Sequence, residues 1–170
     1  MFRLLTIVVA LSMGAPVETI GNKLEGKACV ESGDTIYVNG KRGQRSCLGG
    51  TGVRLRGIDA PELGQTCKHP NGRYFLCGRY AASFLLERLL KQQVSCEGNT
   101  KNAEGLILAT CYVGRTDLNM LMVDQGWAVA DPSTSLKYVP YQESAKSAKR
   151  GIWGMEFDHP AAWRQANPRQ

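Results

Sequence analysis

Apolar and polar positions alternate over short distances in the first third of the chain. "KACVESGDTIYVNGKRGQRSCLGGTGVRLRGI" sets β-rich runs, Thr35 to Val38 and Val53 to Ile58, between glycine-bearing turns such as "VNGK" and "LGGTG". That pattern predicts a meander of antiparallel strands. The period then changes. In "CGRYAASFLLERLLKQQ" Ala81, Leu85 and Leu89 recur every fourth residue with Ala82, Leu86 and Leu90 beside them. This predicts a helix with a broad apolar face, to which Glu87 and Lys91 add an i,i+4 pair.

Strands return in "QQVSCEGNTKNAEGLILATCYV", two β-rich arms about a polar turn, whose folding together can bring Cys96 and Cys111 opposite each other. "TDLNMLMVDQGW" predicts a short helix with Asp117 as N-cap and Gly126 as its stop. "VPYQESAKSAKRGIWG" predicts another, opened by Pro140 and ended by Gly151, with Tyr141, Ala145, Ala148 and Ile152 on one face. The tail "GMEFDHPAAWRQANPRQ" is expected to be ordered around Trp163 and loose after it. Strands first, a helix between strands and helices to finish make an α+β layout, and 170 residues suit one domain.

The N-terminus changes the setting. "MFRLLTIVVALSMGA" carries Arg3, an apolar run from Leu4 to about Met13 and small residues at Ser12, Gly14 and Ala15. This is the layout of a secretory signal peptide, assigned to residues 1–20; a buried N-terminal element is the alternative. The run is too short for a stable membrane anchor. Six cysteines, Cys29, Cys47, Cys67, Cys77, Cys96 and Cys111, agree with an oxidising compartment. Without a C-x-x-C pair or clustered histidines they give no basis for a structural zinc site. The net charge of +6 favours an anionic partner such as nucleic acid, acidic polysaccharide or a membrane surface.

"VRLRGIDAPE", residues 53–62, carries the candidate chemistry. On a strand Arg54 and Arg56 share one face while Val53 and Leu55 point to the core. Pro61 then stiffens the corner that holds Asp59 and Glu62. The alternative is a strand with solvated arginines ending in an ordinary turn. In "ESGDTIYV" Gly33 permits a tight turn and Asp34 begins a strand, so Asp34 and Asp59 can converge on a hard divalent cation.

These elements resemble a known family. "SGDTIYV", "VRLRGIDAPE", "CGRYAASFLLERLL", "TDLNMLMVDQGWAVA" and "AKSAKRGIWG" stand in the order and spacing of the staphylococcal nuclease (thermonuclease) family, from about Lys27 to Trp153. The resemblance implies a five-stranded OB-fold β-barrel with three helices over residues 25–155, followed by a tail, 156–170. It implies a calcium-dependent endonuclease acting on DNA or RNA. Asp34 and Asp59 match the calcium-binding aspartates, and the Ala60 carbonyl matches a further ligand. Glu62 matches the carboxylate that activates or orients the attacking water, and Arg54 the arginine that grips the scissile phosphate. Arg56 matches no catalytic position, and Ser32 stands where an acidic residue is often found.

One part departs from the family's pattern. Where it has Asp-x-Tyr-Gly-Arg, this chain reads "NAEGL": Leu106 replaces the second arginine and Glu104 the tyrosine. Losing one preorganised donor costs roughly 100- to 1,000-fold in rate. Lys101 and Arg115 are the candidates to reach a phosphate from another side. The resemblance also implies the pairs Cys67–Cys77, Cys96–Cys111 and Cys29–Cys47, a choice that cysteine spacing leaves open. The expectation is a secreted or periplasmic bacterial nuclease, a monomer with no membrane anchor after signal cleavage. The alternative is an impaired accessory domain that binds nucleic acid or acidic polysaccharide at the cell envelope.

Overall fold

The computed structural model describes residues 23–168; the predicted signal peptide, residues 1–20, lies outside them. Seven strands form the main sheet: β1 (Lys23–Gly26), β2 (Ala28–Val30), β3 (Thr35–Val38), β4 (Thr51–Leu55), β5 (Val94–Lys101), β6 (Ile107–Val113) and β7 (Thr116–Asp117). Their spatial order is β1-β5-β6-β4-β3-β2, with β7 against the end of β6. The pairings are antiparallel except that of β4 with β6, which runs parallel with Arg54 opposite Leu108. Gly26, at φ 153°, bends the chain between β1 and β2. One bent segment therefore supplies both ends of the sheet, which curls back on itself as a barrel.

The expected count of five strands and three helices is thus exceeded. The first strand is divided at Gly26, β7 is added, and the described residues hold four α-helices: α1 (Cys77–Leu89), α2 (Leu118–Asp124), α3 (Val139–Ser147) and α4 (Pro160–Ala166). The fourth gives the tail its expected order around Trp163 and carries it on to Ala166, and Pro160 opens it.

Val53 and Leu55 are fully buried with Ile36, Val38, Leu85 and Ile152. Helix α1 buries Ala81, Leu85 and Leu89, but Leu86 and Leu90 are 44% and 57% exposed. Its apolar face is narrower than predicted because one row of residues suffices to cover the barrel end. Asp117 caps α2, its carboxylate accepting from Met120 N at 2.9 Å, and Gly126 turns the chain at φ 73°. Helix α3 stops at Ser147, short of its expected end at Gly151, where Lys149 adopts φ 51°. Of the predicted face Tyr141, Ala145, Ala148 and Ile152, only Ala145 and Ile152 are buried.

All six cysteines are paired, as Cys29–Cys47, Cys67–Cys77 and Cys96–Cys111, the last across directly opposed positions of β5 and β6. Three disulfides suit a protein folded outside the reducing cytoplasm. Among the described residues no helix is long and apolar enough to cross a membrane.

Candidate active site

Position 35 pairs with position 54 across β3 and β4, and Leu55 N donates to Asp34 O at 2.8 Å. The backbone ladder therefore sets Asp34 beside Arg54. After Leu55 the chain leaves the strand at Arg56 and Gly57, with Gly57 at φ 80°. The predicted run from Val53 to Ile58 is split there. Arg56 consequently does not share a strand face with Arg54; its Nε donates to Thr134 O at 3.1 Å. Ile58–Asp59 re-pairs with Val129–Ala130, which turns Asp59 back toward Asp34.

Two close approaches hold this corner. Gly33 packs where a Cβ would stand 2.8 Å from the Cβ atoms of both Ala60 and Ala81, so its role is proximity rather than an unusual turn. Gly78, in the first turn of α1, lies where a Cβ would come within 1.7 Å of Glu62 O. Buried Gln65 completes the corner: its Oε1 accepts from Glu62 N at 3.2 Å, and its Nε2 donates to Asp158 O at 2.6 Å.

The charged groups form one network. Asp34 Oδ1 accepts from Ser32 Oγ at 2.9 Å and Thr35 Oγ1 at 3.0 Å. Its Oδ2 accepts from Ala60 N at 2.7 Å and pairs with Arg54 Nη2 at 2.9 Å. The same Nη2 reaches Asp59 Oδ1 at 2.8 Å. Arg164, from α4, donates through Nη1 to Asp59 Oδ1 and through Nη2 to Asp59 Oδ2, both at 2.8 Å, and through Nη1 to Glu62 Oε1 at 3.1 Å.

Asp34 and Asp59 are 2% and 6% exposed, so this network is desolvated. Burial pushes the Asp34 carboxyl above its ordinary value, an effect only partly offset by the Arg54 charge and the Ala60 N–H. The Asp59 carboxylate holds the Arg164 guanidinium still more firmly protonated than usual.

Arg54, Glu62 and Glu104 border two open depressions, of about 290 and 450 Å³. Leu106 lines the second with Tyr37 and Trp163, so position 106 does face the site, but with an isobutyl group lying over Gly52. The loop before it is shaped by Asn102 Oδ1, which accepts from Glu104 N at 3.1 Å and Leu106 N at 2.9 Å. Lys101 lines neither depression, and Arg115 borders a separate groove with Lys23 and Glu97.

The structure thus brings Asp34, Arg54, Asp59, Ala60 and Glu62 together, and adds Arg164, which sequence reasoning missed. The only sequence signal was the Pro160 helix start in "HPAAWR"; nothing in it says where the arginine points.

The oxygen donors of Asp34 and Asp59 and the Ala60 carbonyl suit a hard cation by chemistry. As folded, the aspartate oxygens are matched by Arg54 and Arg164. Among the described residues no group of three or more His, Cys, Asp or Glu side chains is arranged to hold a metal.

A curled barrel that presents an Arg, two Asp and a Glu at one corner, flanked by helices, defines an OB-type domain of the nuclease class. The model of the staphylococcal nuclease homologue family matches residues 52–155, and the chain belongs to that family. It is also 34% identical over 143 residues to the succinoglycan biosynthesis protein ExoI of Rhizobium meliloti (strain 1021), a match covering 82% of this chain and 69% of that protein.

Proposed function

We propose that the chain is an exported phosphodiesterase that hydrolyses nucleic acid, working as a monomer. The observation that carries this reading is the convergence of Asp34, Arg54, Asp59 and Glu62 in one network of contacts no longer than 3.1 Å. Burying two aspartates against arginines contributes little to stability, and such desolvated charge clusters are characteristic of functional sites.

In this reading Arg54 binds the scissile phosphate. It meets both aspartates through Nη2, and its fork suits two non-bridging oxygens at once. Glu62, held by its backbone between Gln65 and Gly78, takes the proton from the attacking water. Asp34, Asp59 and the Ala60 carbonyl would hold calcium, which supplies Lewis acidity to the phosphate oxygens when bound. Export follows from the signal-like N-terminus and the three disulfides.

The test is cleavage of DNA and RNA by the purified chain with millimolar calcium. Activity that chelator stops and Glu62→Gln abolishes supports the reading. A second reading, an accessory domain that binds nucleic acid or acidic polysaccharide at the cell envelope without cutting, is favoured by Leu106 at the site. The relative named for succinoglycan biosynthesis also favours it. That reading wins if the parent chain is inert with calcium, manganese and magnesium while Leu106→Arg cleaves.

A further inference from the structure

The least expected group in the site is Arg164. It lies 105 residues from Asp59 in sequence, yet it takes both oxygens of that carboxylate and one of Glu62. This is the fork-to-carboxylate geometry of a strong ion pair, and the Asp59 side chain is 8% exposed. Any divalent cation that binds Asp59 needs the same oxygens. A guanidinium laid against both oxygens, with Arg54 already on one of them, stands where such an ion would bind.

The charges indicate which way the exchange runs. Counted as ionised groups of this network alone, Asp34, Asp59 and Glu62 contribute three negative charges and Arg54 and Arg164 two positive ones, a sum of one negative charge. Exchanging Arg164 for a divalent cation brings the sum to zero. In a desolvated corner that difference favours the divalent ion.

The segment bearing Arg164 is built to detach. Upstream it is fastened to the body: Lys68 and Glu156 exchange backbone hydrogen bonds at 2.8 and 2.9 Å, and Gln65 Nε2 donates to Asp158 O. Beyond those anchors α4 has seven residues, too few to persist as a helix without docking. Of its residues only Pro160 is buried, and Trp163 is half-buried beside Gly64. No side chain of α4 other than Arg164 makes a polar bond to the barrel in the described residues. Its polar docking therefore rests on the carboxylates that a cation would claim.

We propose that Arg164 is a tethered cation and α4 a latch: the helix closes the acidic site in the metal-free chain, and a divalent cation opens it by displacing the guanidinium from Asp59. The closed form keeps an exported hydrolase inert where calcium is scarce. It also keeps the buried carboxylates neutralised until the cation arrives. This inference rests on the calcium assignment above but not on cleavage.

The experiment follows Trp163, the neighbour of Arg164, by its indole N–H resonance in a 15N-labelled full chain, assigned with Trp163→Phe among the three tryptophans. Calcium affinity is measured in parallel by calorimetry, without substrate. On calcium addition the Trp163 resonance moves to a solvent-exposed position. In Arg164→Gln it sits there before calcium is added, and calcium binds at least about 10-fold tighter, roughly 1.4 kcal/mol. The proposal is overturned if calcium binds while the Trp163 resonance stays in place, if Arg164→Gln leaves calcium affinity unchanged, or if neither chain binds calcium. A chain that opens with calcium yet cleaves nothing leaves the latch standing and removes only the nuclease reading.

Discussion

Arg164 grips Asp59 through both carboxylate oxygens at 2.8 Å while Arg54, on the preceding strand β4, reaches the same carboxylate through one nitrogen. The two arginines differ in kind. Arg54 is fixed by the pairing of β3 with β4 and is part of the barrel wall, whereas Arg164 arrives on a short helix fastened only upstream. The permanent member of the site is therefore Arg54.

Replacing Arg54 by lysine keeps the charge but removes the planar guanidinium whose Nη2 meets both aspartates at the edge of the depression. Cleavage by Arg54→Lys is expected to fall by about 100-fold or more. Single-turnover kinetics at saturating substrate check this, with the circular dichroism spectrum unchanged.

The Asp34 carboxyl has its proton affinity raised by burial, so the folded chain holds that proton to a higher pH than the unfolded chain does. Between the ordinary aspartate value of about 3.9 and the raised one, this group's contribution to stability falls as pH rises. Asp34→Asn cannot titrate. Its stability relative to the parent is expected to improve with pH across that window and to level off above it, as read from urea unfolding at a series of pH values.

Gly78 lets α1 sit against the backbone of Glu62, and a methyl group there would fall 1.7 Å from Glu62 O. Gly78→Ala is expected to destabilise the fold by about 2–3 kcal/mol, since both neighbours are backbone. It also moves Glu62, so cleavage falls more steeply than the folded fraction. Denaturant midpoints and turnover measured on the same preparation separate the two effects.

Cys67–Cys77 closes a loop of sequence separation 10 that leads from the DAPE corner into α1. Serine at both positions is expected to cost about 3 kcal/mol by the chain-entropy argument. Thermal unfolding checks this, with the parent under reductant as the companion measurement.

Most of the strand meander, α1 and α2 were legible because their apolar residues keep a clear period and their ends carry glycine or a capping Asp117. The end of α3 was not. "KSAKRGIW" retains helical spacing, but the backbone turns at Lys149 so that Ile152 can pack with Cys67, Cys77, Val129 and Trp153. Tertiary burial outweighed local propensity there. Arg56 was misplaced for a related reason: alternation holds only while the strand lasts, and the turn at Arg56 and Gly57 ends it at Leu55.

The sequence by itself determined the composition of the site: Asp34, Arg54, Asp59 and Glu62 lie in short segments whose backbone is set by strand pairing and by Pro61. It also determined the cysteines, whose even number agrees with an oxidising compartment. Only the tertiary structure decided what faces those carboxylates. Ion pairing depends on which chain segments meet in space, and no periodicity in "HPAAWRQA" encodes that Arg164 reaches Asp59. The chain had to fold before its charged corner acquired a cation of its own.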